Sequence, residues 1–215
     1  MAEFDEINRK ITLKLVYYGP AMSGKTTNLM RLHDMLAPEL KGEILTLETQ
    51  NDRTLFFDLL PLGFQTPTGW LIKLKLFTVP GQLVHDATRK AVLSRADGLV
   101  FVADSQQTQS VNNSESFQNL EENARRVGLD FDSLPLVVQF NKRDLPRILS
   151  EEEIRGRWAQ APWPLTFASA LTGEGVLETF VRLLEGVYPE IDKHFSLTET
   201  HGMSNAAFVK AVAGI

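Results

Sequence analysis

Apolar residues in this chain fall into short runs, separated by longer stretches where they recur every three or four positions. Residues 11–18, 43–47, 71–79, 98–103 and 134–140 read as buried strands, with a sixth at 165–168. Between them, Leu29, Leu32 and Leu36 share one helical face, and Phe117, Leu120, Ala124 and Val127 share another. Phe180, Leu183, Leu184 and Val187 form a third stripe over 176–187. Val100-Phe101-Val102 and Leu136-Val137-Val138 are continuously apolar, as strands covered on both faces must be. Alternating strands and helices predict an α/β protein with a parallel sheet and ligands at the carboxyl ends of its strands.

One segment breaks the rhythm. Between residues 43 and 79 there is no helical stripe, only runs at 55–60 and 71–77 around Pro61-Leu62-Gly63 and Pro67-Thr68-Gly69. This pattern predicts an antiparallel hairpin and hence a mixed sheet. Beyond Pro189 the chain turns polar over 190–202, and 204–215 predicts a short amphipathic helix capped by Ser204. The expected division is a domain over 1–188 and a C-terminal extension over 189–215.

Composition narrows the chemistry. The 215 residues include no cysteine, which excludes disulfides, thiolate metal sites, cysteine nucleophiles, prenylation and palmitoylation. A net charge of −5, from 22 Lys+Arg against 27 Asp+Glu, speaks against a broad nucleic-acid surface. Ala2 follows the initiator, so N-myristoylation is excluded, and no covalent membrane anchor is expected. The acidic N-terminus has no secretory pattern, and no apolar run approaches the roughly 18 residues that span a bilayer. A soluble, cytoplasmic protein is the expectation. The four histidines are scattered, without ligand spacing.

Gly19-Pro20-Ala21-Met22-Ser23-Gly24-Lys25-Thr26 matches G-x-x-x-x-G-K-[ST] without a mismatch, between a predicted strand and a predicted helix. Backbone N–H groups along Gly19, Ala21, Ser23 and Gly24, and on to Thr27, can cradle phosphate oxygens there. Lys25 supplies a point charge to the β/γ-phosphates, and the Thr26 hydroxyl is placed to coordinate Mg²⁺. A glycine turn that merely joins strand to helix is the alternative, but a chance match in this length is on the order of one in a hundred.

Asn141-Lys142-Arg143-Asp144 follows the apolar strand at 134–140. The Asp144 carboxylate can accept from the N1–H and N2–H₂ of guanine. Adenine lacks that donor pair and would leave the carboxylate desolvated and unpaired. Lys142 can cover the base with its stem, and Asn141 can tie this loop to the phosphate loop. Ser169-Ala170-Leu171, after the last predicted strand, offers a backbone N–H to the guanine O6.

In order and spacing, the phosphate loop, Gly81-Gln82, Asn141–Asp144 and Ser169-Ala170 resemble the Ras-like small GTPases. Tyr17-Tyr18-Gly19-Pro20, Arg53-Thr54-Leu55-Phe56-Phe57-Asp58 and Thr78-Val79-Pro80-Gly81-Gln82 are similar to the bacterial MglA-like group among them. The resemblance implies a P-loop NTPase fold, a small-GTPase G domain with a mostly parallel six-stranded sheet, one strand antiparallel, flanked by helices. It implies a GTP/GDP switch in cell polarity or surface motility, with Mg²⁺ as cofactor. Its implied partners are an MglB-like roadblock-domain GTPase-activating protein and effectors that read switches I and II, with recruitment to cell poles through them. By resemblance, Thr54 binds Mg²⁺ in the GTP state, the Gly81 N–H senses the γ-phosphate and Gln82 orients the attacking water. Arg53 matches an internal arginine finger and joins Gln82 and Lys25 in the catalytic set. The common D-x-x-G pattern reads Thr78-Val79-Pro80-Gly81 here, without its Mg²⁺-associated carboxylate. Asp58 is open to two roles, helping hold Mg²⁺ or solvating a strand end. A nucleotide-locked scaffold and an ATP-using P-loop enzyme are the competing readings, and Asn141–Asp144 disfavours the second.

Overall fold

The computed structural model describes residues 2–48, 56–81 and 86–214. Arg53, Thr54, Gln82 and His85 lie outside them.

Among the described residues eight strands form one sheet, in the order β3-β4-β5-β2-β6-β7-β8, with β1 beside β2. They are β1 (Glu3–Asp5), β2 (Lys10–Tyr18), β3 (Leu45–Glu48), β4 (Phe56–Gln65), β5 (Leu71–Thr78), β6 (Gly98–Asp104), β7 (Leu136–Asn141) and β8 (Leu165–Phe167). β2 pairs in parallel with β5 and β6, and β6, β7 and β8 continue in parallel. β4 is antiparallel to both β3 and β5, and β1 is antiparallel to β2. The expected six-stranded sheet with one antiparallel strand is thus corrected to eight strands with two. The extra strands are β1, too short and acidic to carry an apolar signature, and β4, the first half of the hairpin. β1 occupies the flank of β2 at Lys10–Thr12, below the stretch where β6 pairs with Leu15–Tyr18.

Of the two expected turns, only Pro67-Thr68-Gly69 reverses the chain. β4 runs straight through Pro61-Leu62-Gly63, and the reversal comes at Thr66–Trp70, where the Thr66 N–H donates to the Trp70 carbonyl at 2.8 Å. Pro61 is tolerated because β3 pairs with β4 only as far as Leu59, so no ladder bond is lost on that side.

Helices cover both faces: α1 (Lys25–Met35), α2 (Asp86–Leu93), α3 (Ser110–Arg126), α4 (Glu151–Arg157), α5 (Val176–Phe195), α6 (Leu197–His201) and α7 (Asn205–Ala213). One core lies under α1, α5 and α7, with Leu13, Leu15, Ile72, Leu74, Phe180, Leu183 and Phe208 fully buried in it. The other lies under α2, α3 and α4, with Val16, Tyr18, Phe101, Val138, Leu120 and Ile154. Ser150 and Glu153 close a reciprocal capping box at the start of α4.

α5 continues past the expected break, through Pro189 to Phe195. Pro189 is exposed, so water can reach the carbonyl that its missing N–H leaves unpaired, while Tyr188 and Ile191 extend the buried stripe across it. The Ser204 cap appears as the sequence indicates, its hydroxyl accepting from the Ala207 N–H at 3.3 Å. α7 then lies on the domain, with the Phe208 ring edge-on to Phe64 of β4 and tilted against Tyr188. His201 bonds the Thr68 hydroxyl at 2.6 Å beside Trp70, fastening α6 to the turn of the hairpin.

Candidate functional site

The carboxyl ends of β2, β5, β6, β7 and β8 converge at one rim of the sheet, the end at which open α/β sheets take their ligands. Gly19 to Gly24 connect β2 to α1. Gly24 has φ 97°, a left-handed turn that glycine adopts without strain, and a Cβ there would collide with the side-chain amide of Asn141. Lys25 is only 7% exposed, and its ammonium donates to the carbonyls of Gly19 at 3.0 Å and Pro20 at 2.7 Å. Burial, aided by the positive charge of Arg89 and opposed by Asp58, lowers its pKa to about 7. Thr26 and Thr27 are exposed at the start of α1, as is Ala21 within the loop. Ser23 is buried. Gly81, after β5, lies so close to the backbone of Pro20 and Ala21 that no side chain fits there. The phosphate loop and the start of switch II are therefore in direct contact.

Asp58 lies beside Thr78. It is buried on β4 directly across from β5, and four short contacts fix it. Thr26 Oγ1 donates to its carboxylate at 2.5 Å, Thr78 Oγ1 at 3.0 Å and Thr46 Oγ1 at 3.2 Å, while its own N–H donates to Thr78 Oγ1 at 2.8 Å. A carboxylate of the neighbouring strand is thus hydrogen-bonded to the threonine at position 78. Serving a strand end as a solvated charge, the alternative role, does not suit a side chain so enclosed.

On the opposite side, Asn141 is the joint. Its Nδ2 donates to the Ser23 carbonyl of the phosphate loop at 2.8 Å, and its Oδ1 accepts from the Ala170 N–H at 2.8 Å. Asp144 is oriented by Ser169, whose hydroxyl donates to Oδ1 at 2.6 Å. Arg31 of α1 reaches across to the carbonyls of Ala170 and Leu171, fixing that loop from behind. Lys142 has φ 66° and places its ammonium 2.6 Å from the Asp104 carboxylate. Residues 141–144 and 169–171, distant in sequence, are thereby assembled beside the phosphate loop.

Three contributors to the site belong to none of the sequence motifs. Asp104 ends β6 as Asn141 ends β7, and a charged residue closing a wholly apolar strand was the available signal. Arg31 carried no motif. Asn28 is buried under the loop, donating to the Gly24 carbonyl at 3.0 Å and accepting from Gln139 at 2.9 Å.

The sequence pattern of the ADP-ribosylation factor family matches residues 3–187, which contain every element of this rim. The chain belongs to that family. It is a small GTPase, a switch set by whether GTP or GDP is bound. The mutual gliding-motility protein MglA of Myxococcus xanthus is 44% identical over 186 residues, covering 86% of this chain and 95% of the relative. ADP-ribosylation factor-like protein 2 of Arabidopsis thaliana is 25% identical over 186 residues, covering 83% and 89%. Helices α6 and α7 of this GTPase lie beyond the part that matches the family pattern. None of its described helices is long and apolar enough to cross a membrane.

Proposed function

We propose that the GTPase binds its nucleotide along this rim through the residues assembled there, hydrolyses GTP slowly alone and quickly with a partner. The two hydrogen bonds of Asn141, donated to Ser23 on one side and accepted from Ala170 on the other, carry the reading, because they set phosphate and base loops at a fixed separation. Backbone N–H groups from Gly19 to Thr27 surround the phosphates, and Lys25 exchanges its two carbonyl contacts for β/γ oxygens. Asp144 accepts from the guanine N1–H and N2–H₂. The Ala170 N–H is engaged by Asn141, so the donor to guanine O6 falls to Leu171.

The donors around Thr26 suit Mg²⁺: a hydroxyl and a carboxylate, both hard oxygens, with phosphate oxygens to complete the shell. Thr26 would hold the ion in both states and Thr54 in the GTP state, with Asp58 supplying the negative charge. The ion, when bound, neutralises charge developing on the β/γ oxygens. Gln82 aligns the attacking water, Arg53 stabilises the transferring phosphoryl group in cis, and Gly81 reports the γ-phosphate to switch II.

The likeness to a gliding-motility protein supports a role in bacterial polarity or surface motility, in the cytoplasm, with recruitment to the poles. An MglB-like roadblock protein serves as the activating partner, and effectors read the two switches. Residues 1–188 carry the nucleotide cycle, and 189–215 brace it.

Fluorescent-nucleotide titration and single-turnover hydrolysis test this. GTP and GDP should bind and ATP should not compete. The partner should accelerate hydrolysis by about 10³–10⁵, an effect lost in Arg53→Ala or Gln82→Leu with affinity unchanged. Equal affinity for ATP and GTP would overturn the reading.

A further inference from the structure

An enclosed ion pair joins the ends of β6 and β7. Lys142 and Asp104 approach to 2.6 Å with side chains only 24% and 6% exposed, less than in the pairs Lys10–Asp5, Lys90–Asp86 and Arg125–Glu121. Asp104 is moreover immobilised from three directions. Its Oδ1 accepts from the backbone N–H of Gln106 at 3.0 Å, and the Gln106 side-chain amide donates to both of its oxygens at 3.1 Å. Its backbone is chelated by one carboxamide of α3: its N–H donates to Asn113 Oδ1 at 3.0 Å, and its carbonyl accepts from Asn113 Nδ2 at 2.8 Å. A carboxylate held this way cannot follow a lysine. The lysine must come to it.

We infer that Asp104 is a positioning residue for guanine-nucleotide binding, acting through Lys142. The inference rests on the site reading above and deepens it. Asp104 is paired with Asn141 across the parallel ladder, so Lys142, one residue on, leaves β7 beside it. The left-handed backbone at Lys142 turns its side chain back along the rim, and anchoring the ammonium fixes the whole four-carbon stem. With the charge spent on Asp104, the surface offered to the base is methylene. A flat apolar cover over one purine face keeps water from the hydrogen bonds that Asp144 makes at its edge. A free ammonium would instead be drawn into solvent, taking the stem with it. Asp104 therefore governs how long the nucleotide stays and leaves the choice of base to Asp144.

The two roles separate experimentally. Release of fluorescent GDP and of its inosine counterpart, which lacks the N2 amine, is measured for wild type, Asp104→Asn, Lys142→Ala and the double variant. Asp104→Asn should speed release of both nucleotides by the same factor, about tenfold. It should leave the guanine-over-inosine ratio unchanged and have no further effect once Lys142 is Ala. Gln106→Ala, which loosens the carboxylate without removing it, should act in the same direction by a smaller, equally Lys142-dependent factor. That variant decides the matter if Asp104→Asn does not fold. Wild-type release from Asp104→Asn, or an equal loss with and without Lys142, overturns the inference while leaving the site reading intact. A wild-type chain that does not prefer GDP to ATP overturns the site reading itself.

Discussion

The Thr26 hydroxyl donates to the Asp58 carboxylate at 2.5 Å across 32 positions of sequence. One residue opens the helix after the phosphate loop and the other sits mid-hairpin, so the contact joins the two parts of a GTPase that must agree on nucleotide state. Asp58→Asn keeps the shape but replaces an acceptor by a donor facing three threonine hydroxyls. The variant should lose about 1–3 kcal/mol in urea denaturation. Its GDP release should also become insensitive to Mg²⁺ chelation, where wild type is accelerated. Unchanged chelator sensitivity would remove Asp58 from the ion site.

Lys25 makes binding pH-dependent. Burial lowers its pKa from the ordinary 10.5 to about 7, so between those values the unfolded chain holds a proton that the native nucleotide-free chain has released. Native stability without nucleotide therefore rises with pH across that window. Phosphate oxygens restore the charged form, so nucleotide binding above pH 7 takes up a proton and weakens as pH rises. Calorimetry at pH 8 in buffers of different ionisation enthalpy should show the uptake. An identical binding enthalpy in all buffers would contradict it.

Gly24→Ala should be costly on two counts. Its left-handed φ strains any side chain, and the added methyl meets the Asn141 amide that joins the phosphate and base loops. Strain of about 1–3 kcal/mol is expected in the denaturation midpoint. GDP retention should fall much further than stability does, because the joint itself is displaced. A folded variant that retains GDP like wild type would argue against Asn141 as the joint.

The docked tail should contribute stability. Phe208 is fully buried between Phe64 and Tyr188, so Phe208→Ala is expected to cost about 3–5 kcal/mol. Guanine selectivity should survive, since no residue of α7 reaches the rim. Hydrogen exchange should quicken first at Phe64–Trp70. A neutral substitution would mean that the tail leaves that seat in solution.

What could be read from the sequence divides along physical lines. The phosphate loop and Asn141–Asp144 were legible because their chemistry is local: fixed spacing, placed after apolar strands. The role of Asp58 was not, since it depends on the register that sets Asp58 against Thr78, Thr46 and Thr26 at once. Pro61 suggested a turn because proline's cost in a strand depends on whether a neighbour wants its N–H, and here β3 has already ended. α2 carries too few apolar positions to announce itself, with Val92 and Leu93 as its buried anchors. The Ser204 cap was visible, but nothing in residues 204–215 names Phe64 as the surface they cover.

The two cores close at different times during synthesis. Everything that fills the core under α2, α3 and α4 precedes α5 in the chain. The opposite core waits for Phe180, Leu183, Leu184 and Val187, and is completed only by Phe208 and Val212. A chain emerging from the ribosome thus carries a sheet sealed on one side, with Ile11, Leu13, Ile72 and Leu74 covered on the other by α1 at most. Those half-covered residues belong to β2 and β5, the strands leading into the phosphate loop and switch II. Nucleotide capture is therefore expected late in translation. Chains stalled before residue 176 should bind no GDP and should recruit chaperones through that open face.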